Sequence, residues 1–245
     1  MKILVINVGN SRTAIGWYEA GHIRKIHRAT AWGVDPLKRY KSEGTPDGIG
    51  VASVVPAQNA EVRRMLKASY PGVPVRWIGP DLELGVGVDL KSPKKTGADR
   101  YADAVAAAAL YGTPCIACDF GTAATFNLVL PKRGFCGGVI APGYGMWFDA
   151  LGRGTAQLPI LRPGGVRVAT GRNTEEAMRL GARWGYRGMV TEILWQLSKA
   201  CGRKEPALVA TGGDAEAVLR DAGFRMALHP DLTLHGIALI TERNL

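Results

Sequence analysis

Two stretches of this chain share one layout, and that repeat limits the fold more than any other feature. In CDFGTAATFNLV, Cys118 to Val129, an apolar run ends in an aspartate, a glycine follows two residues later, and an apolar run resumes after small hydroxylic residues. ILVINVGNSRTAIGW, Ile3 to Trp17, has the same order of apolar run, polar residue, glycine, small residues and apolar run. Each predicts a β-hairpin closed by a tight, polar turn. Gly121 leaves room for a phosphate against the backbone, Thr122 and Thr125 offer hydroxyls, and Asp119 offers a carboxylate to a metal ion or its water. A single D-x-G-T is more often an ordinary turn with an Asp–backbone hydrogen bond; the second copy changes its weight. Laying one copy on the other puts Asn7 on Asp119, Gly9 on Gly121, Ser11 on Ala123 and Thr13 on Thr125. The expectation is an α/β protein of two related domains, 1–112 and 113–245, facing each other across a nucleotide cleft.

The remaining elements read as alternating strands and helices. Strands are expected over 22–28, 48–54 and 75–78, a helix over 56–69 with Val62, Met65 and Leu66 on one face, and a loop or short helix over 31–40. Residues 82–95 read as an extended surface loop ending in Lys91, Lys94 and Lys95. The alanine-rich run from Asp99 to Tyr111 predicts a helix closed by Gly112 and Pro114. Thr96, Gly97 and Asp99 fall at its N-terminus, where free N–H groups favour an anion; a plain N-cap fits the same residues. A strand into Ile140, a helix over 145–151 and a long helix over 173–201 follow, the last with Thr174 as a capping-like residue and Gly181, Gly185 and Gly188 along it. The chain closes with a strand into Gly212-Gly213-Asp214, a helix to about Ala222 and a helix over 236–243.

With 47% hydrophobic and 21% charged residues the composition is that of a globular protein, and no apolar stretch spans a bilayer. MKILVINVGN reads as a strand and turn rather than a signal peptide, so a cytoplasmic location without membrane association is expected. The formal net charge of +10 suits either a nucleic acid or small anionic ligands. No helix-turn-helix, zinc-finger or aromatic RNA-binding pattern accompanies it; the basic cluster of Lys91, Lys94 and Lys95 reads first as a solvated loop, next as an attractor of an anionic ligand, and last as a DNA-binding patch. Cys115 and Cys118 form a C-x-x-C, but within one strand their side chains point to opposite faces, so buried structural thiols are expected.

These motifs, in this order, resemble the type III pantothenate kinases of the actin, acetate-kinase and sugar-kinase superfamily. The likeness runs through NVGNSRTAIG (Asn7 to Gly16), GADR (Gly97 to Arg100), DFGTAAT (Asp119 to Thr125) and GGVIAPG (Gly137 to Gly143). It continues through ALGRGTAQLP (Ala150 to Pro159), GRNTEEAMRLG (Gly171 to Gly181), TGGDA (Thr211 to Ala215) and PDLTLHGI (Pro230 to Ile237). The resemblance implies ribonuclease-H-like domains and ATP-dependent phosphorylation of pantothenate, the first step towards coenzyme A. It implies Asp99 as general base on the pantothenate hydroxyl, Arg100 on the carboxylate, and Gly97 completing that pocket. Asn7, Gly9, Asn10, Ser11, Gly121 and Thr122 would handle the ATP phosphates and Asp119 the Mg²⁺. It further implies a monovalent cation (K⁺ or NH₄⁺) and a homodimer in which Thr174 reaches the neighbour's pantothenate site. Read without the resemblance, Asp99 is equally a helix cap and Arg100 its ion-pair partner.

Two positions depart from the family pattern. Asn7 stands where the family has aspartate, and Leu90 where it has a tyrosine lining the pantothenate pocket. An amide still hydrogen-bonds a metal-bound water but brings no charge to the metal. The main expectation is a working kinase; the alternative is a catalytically impaired relative that binds ligand as a regulator or accessory protein.

Overall fold

The computed structural model describes residues 1–30, 36–202, 204–222 and 224–245. Its contacts divide the chain into two units, one of residues 1–110, 132–136 and 231–245, the other of residues 111–131 and 137–230.

The first unit opens with β1 (Lys2–Val8), β2 (Thr13–Glu19) and β3 (His22–Ala29), followed by β4 (Gly48–Ser53), α1 (Asn59–Ser69), β5 (Val75–Trp77) and α2 (Ala98–Tyr111). The strands form one sheet in the order β3-β2-β1-β4-β5. β1 pairs antiparallel with β2 and parallel with β4. Leu4, Ile6 and Val8 pack with Ile49 and Val51 against Val62, Met65 and Leu66 of α1, which fall on one face as their spacing predicts. The 3₁₀ turn over Pro36–Glu43 adds Leu37 and Tyr40 to that core; residues 31–35 of the expected loop or short helix lie outside the described residues.

The second unit contains β6 (Cys115–Phe120), β7 (Ala123–Leu130), β8 (Gly134–Pro142), α3 (Tyr144–Gly154), α4 (Thr174–Lys199), β9 (Ala207–Thr211), α5 (Ala215–Ala222) and β10 (Ala227–Leu228). Its sheet runs β10-β9-β6-β7-β8, with β6 antiparallel to β7 and parallel to β9. Counting from the central strand, this is the order of the first sheet. The repeated motif therefore marks a repeated ribonuclease-H-like topology. Cys115 and Cys118 are both buried because β6 is covered on both faces, and all four cysteines are free thiols.

Three expectations change in detail. The closing helix, α6 (Leu232–Arg243), falls in the first unit rather than in a domain of residues 113–245. Its Ile237 and Thr241 side chains press on Gly50 of β4, and Leu234 lies beside Gly16 of β2. Thr233 also donates to buried Asp103 of α2 at 2.7 Å. The alignment of the two hairpins slips by one position after the turn. Val8 faces Thr13 across a turn of four residues, Gly9 to Arg12, whereas Phe120 faces Ala124 across three, Gly121 to Ala123. Ala14, opposite Asn7, is thus the counterpart of Thr125, opposite Asp119. Third, α4 is capped by Asn173, whose side chain accepts the Glu176 N–H at 2.8 Å, while the Glu176 carboxylate accepts the Arg172 N–H at 2.8 Å. Thr174 is the first helical residue and is exposed.

The docking of α6 is sharpest at Gly236, where a Cβ would lie 1.9 Å from the Ala102 carbonyl oxygen of α2. Gly236→Ala is therefore expected to destabilise the protein by about 1–3 kcal/mol through overpacking. Chemical denaturation measures this, and an unchanged midpoint would show that α6 docks with slack.

Candidate functional site

In the first unit the parallel pairing of β1 and β4 brings both carboxyl ends to one sheet edge. β1 ends at Asn7 and Val8, and the Val54 N–H after β4 bonds the Val8 carbonyl at 3.0 Å. Val54 in turn touches Gly97, where a Cβ would lie 3.3 Å from Val54 Cγ1. The first hairpin turn and the start of α2, far apart in sequence, so lie at one edge of one sheet. The turn is closed by the Gly9 N–H bonding the Arg12 carbonyl at 3.1 Å, and Asn10 and Ser11 are exposed on it. The Asn7 side-chain oxygen is buried and finds no hydrogen-bond partner among the described residues.

At the start of α2 the Asp99 carboxylate folds back over Gly97. Its Oδ1 accepts the Arg100 N–H at 2.8 Å and stands 2.6 Å from where a Gly97 Cβ would be. A side chain at 97 would displace the carboxylate, which is the physical reason for glycine there. Asp99 is the second residue of α2 rather than its N-cap, and its carboxylate accepts the next N–H in the first turn, which tethers it at the sheet edge. Burial pushes its pKa above the usual carboxylate range, opposed by the Arg100 amide and guanidinium. Burial pulls Arg100 down from its ordinary value, with the charges of Asp99 and Asp103 opposing. The Arg100 guanidinium lies 5.6 Å from the centre of the Phe135 ring. Exposed Lys94 and Lys95 sit in a 3₁₀ turn whose Pro93 carbonyl accepts the Tyr101 hydroxyl at 2.9 Å, tying the basic loop to α2. Leu90 is half-buried in the segment before that turn. This segment is more structured than a free surface loop: Leu84 is buried and Val88 pairs with Phe135.

In the second unit the parallel pair β6 and β9 makes the corresponding edge. Gly212, after β9, has φ +96°, and a Cβ there would lie 2.2 Å from Asp119 Oδ1. The Asp214 N–H bonds the Phe120 carbonyl at 2.9 Å. The turn of Gly121 and Thr122 rests on Gly143, whose N–H bonds the Thr122 carbonyl at 3.2 Å and whose Cβ would lie 2.2 Å from the Gly121 carbonyl oxygen. Gly143 is also the N-cap of α3 and supplies no side-chain cap. Thr122 is exposed; Asp119 and Gly121 are half-buried. Gly138 approaches a neighbouring strand, its Cβ position being 1.7 Å from the Phe126 carbonyl oxygen, so this glycine serves sheet packing.

Sequence reasoning quoted Gly143 and Asp214 only inside motifs, with no role of their own, and passed over Tyr186. The Tyr186 ring packs on Tyr144 and Phe120, and its buried hydroxyl finds no partner among the described residues. Burial raises its pKa, and the charges of Asp214 and Asp119 raise it further. Asp119 stands against the Gly212 cradle, with Asp214 near enough to act on the same Tyr186 hydroxyl, and a carboxylate so placed could hold a divalent cation completed by water and phosphate oxygens. Among the described residues no three His, Cys, Asp or Glu side chains gather as a metal cage. Thr174 lies at the start of α4 in the second unit, away in sequence from every other candidate.

The type III pantothenate kinase family model matches residues 3–196. A type III pantothenate kinase of Akkermansia muciniphila is 43% identical over 199 residues, covering 81% of this chain and 80% of the relative. One from Streptomyces avermitilis is 35% identical over 261 residues, covering 99% and 98%. The chain belongs to the type III pantothenate kinase family. Among solved structures, a Campylobacter jejuni protein described as a Baf family transcriptional activator superposes with a TM-score of 0.64 at 17% identity, covering 98% of each chain. Component A of (R)-2-hydroxyglutaryl-CoA dehydratase from Acidaminococcus fermentans gives 0.57 at 12% identity, covering 100% and 98%. At those identities the likeness concerns the fold alone.

The raised Asp99 pKa sets a sign for stability. A carboxyl whose folded pKa exceeds its unfolded value favours the folded state below the unfolded pKa, and that contribution is lost as pH rises through the folded pKa. Asp99→Asn is expected to flatten the fall in thermal stability as pH rises from about 4 through the raised folded pKa, where the native carboxyl becomes a desolvated charge. Melting curves of both proteins across that range decide it; parallel pH profiles would mean that Asp99 is well solvated.

Proposed function

We propose that this protein transfers the γ-phosphoryl group of ATP to the hydroxyl of pantothenate, giving 4'-phosphopantothenate for coenzyme A synthesis. The observation that supports it best is the GADR turn in a chain that a family relative matches almost end to end: a half-buried carboxylate and an arginine side by side at the start of a helix. Phosphoryl transfer needs an aligned nucleophile and neutralised phosphate charge more than covalent help. In this reading Asp99 takes the hydroxyl proton, its raised pKa bringing it closer to the operating range of a base. Arg100 receives the pantothenate carboxylate, which its planar fork matches at both oxygens. Gly97 and Leu90 border that ligand. Gly9, Asn10 and Ser11 on one hairpin and Gly121 and Thr122 on the other offer turn N–H groups and hydroxyls to the phosphates.

Asp119 is the proposed holder of Mg²⁺, which when bound neutralises phosphate charge; Asn7 hydrogen-bonds without adding charge. A monovalent cation, K⁺ or NH₄⁺, completes the requirements, and a cytoplasmic location goes with the substrates. No helix among the described residues is long and apolar enough to cross a membrane.

We also infer a homodimer with Thr174 contributed to the neighbouring pantothenate site. Ala177, Gly181, Trp184, Gly188, Thr191 and Trp195 are all exposed on α4, at alternating spacings of three and four. Trp184 and Trp195 are each 55% exposed, and open space surrounds Gly181 and Gly188. Such a seam, with small residues between large ones, fits a second copy of the same helix.

Purified protein with ATP, Mg²⁺ and K⁺ is expected to form phosphopantothenate, saturating at a lower Mg²⁺ concentration in Asn7→Asp. Asp99→Asn is expected to lose turnover by at least about a hundredfold with ATP binding kept. Arg100→Ala is expected to raise the pantothenate KM at least about tenfold and leave that for ATP unchanged. No product from folded protein overturns the reading.

For the dimer, Trp184→Lys is expected to shift sedimentation from dimer to monomer and to lower turnover with it. A native protein that sediments as a monomer and still turns over removes the shared site.

A further inference from the structure

The segment from Lys132 to Cys136 covers the turn after β7 and the first three residues of β8, and it belongs to the first unit. It is clipped there by several independent contacts. The Phe135 N–H bonds the Gly87 carbonyl at 2.8 Å, and the Asp89 N–H bonds the Phe135 carbonyl at 2.9 Å. Arg133 Nε donates to Asp89 Oδ2 at 2.6 Å. Gly134, at φ +73°, has its Cβ position 2.0 Å from the Gly87 carbonyl oxygen, so the two backbones meet without room for a side chain. The outcome is that Phe135, fully buried, presents its ring to two neighbouring residues of α2. Tyr101 meets it edge-on at 5.6 Å with an interplanar angle of 83°. The Arg100 guanidinium stands over it at 5.6 Å from the centroid.

An arginine has a long, freely rotating stem, and orienting its fork for a carboxylate costs rotamer entropy that a preset stack removes in advance. An aromatic face within about 6 Å attracts the guanidinium through the ring quadrupole, more strongly when water is excluded. The ring cannot turn away, because its backbone is clipped to Gly87 and Asp89 and its edge is held by Tyr101. We propose that Phe135 is a positioning residue for substrate binding: its clipped ring holds the Arg100 guanidinium in the orientation that receives the substrate carboxylate. This rests on the reading of Arg100 as the carboxylate ligand.

The test varies the ring's electron density at nearly constant shape. The full-length enzyme is made with 4-fluoro-, 3,5-difluoro- and 3,4,5-trifluorophenylalanine at position 135, beside Phe135→Leu and Arg100→Ala. The pantothenate KM is expected to climb stepwise with fluorine number, to roughly three- to tenfold at the trifluoro ring. The ATP KM and kcat stay put, and the primary amide of pantothenate, which lacks the carboxylate, shows no fluorine dependence. A flat pantothenate KM across the series, with Arg100→Ala still raising it, overturns the role of Phe135 and leaves Arg100 in place. An Arg100→Ala enzyme with native pantothenate KM overturns the carboxylate reading itself. A series in which both KM values and kcat drift together makes Phe135 a packing residue only and equally overturns the proposal.

Discussion

The parallel pairing of a central strand with its neighbour governs what each unit can present. β1 beside β4, and β6 beside β9, place two carboxyl ends at one sheet edge, and the chain must leave both there. Central strands buried on both faces are nearly all apolar, so the first polar residues after them gather at that edge. Asn7 and Asp119 are those residues. Open α/β sheets collect ligands at such carboxyl ends. Here the edge also receives the residues just beyond the second strand: Val54 leading to contact with Gly97, and Gly212 lying on Asp119. A candidate site on each unit is thus a consequence of strand order before any individual side chain is considered.

Close approach then decides which residues are tolerated. Gly97 is glycine because a carboxylate folds over it, Gly143 because a turn sits on it, and Gly212 because Asp119 lies against its α-carbon at a positive φ. These glycines do different work from Gly138, whose neighbour is a strand carbonyl. From composition alone the four are indistinguishable. Only the atom that a Cβ would strike separates a ligand-edge glycine from a sheet-packing one.

The same distinction explains how much of the fold is legible in the chain alone. Apolar periodicity fixes local partners, and Val62, Met65 and Leu66 do fall on one buried face of α1. The duplicated motif carries the topology of both sheets. Long-range docking leaves no such trace: nothing in LTLHGIALITER tells that α6 lies on the first sheet, since its contacts with Gly16, Gly50 and Ala102 involve residues over a hundred positions away. Residues aligned after the turn slip for a similar reason, because one added residue between Gly9 and Arg12 moves every later pairing. Phe135 and Tyr186 are illegible because a buried aromatic ring is ordinarily core, and only its neighbours give it another role.

The amide at Asn7 and the acid at Asp119 extend these constraints to the chemistry. Two carboxylates at homologous edges would each attract a cation; an amide on one side leaves the charge on the second unit, where Asp214 reinforces it beside the orphaned Tyr186 hydroxyl. In the first unit the carboxylate nearest that edge is Asp99, the second residue of α2 and half-buried, beside the cation that Phe135 holds. A carboxyl with a raised pKa is suited to accept a proton, whereas one facing a metal must stay ionised. In the proposed function those two duties fall on different carboxylates, proton acceptance on Asp99 and cation attraction on Asp119. The division of labour follows from where each carboxylate is buried and what lies against it.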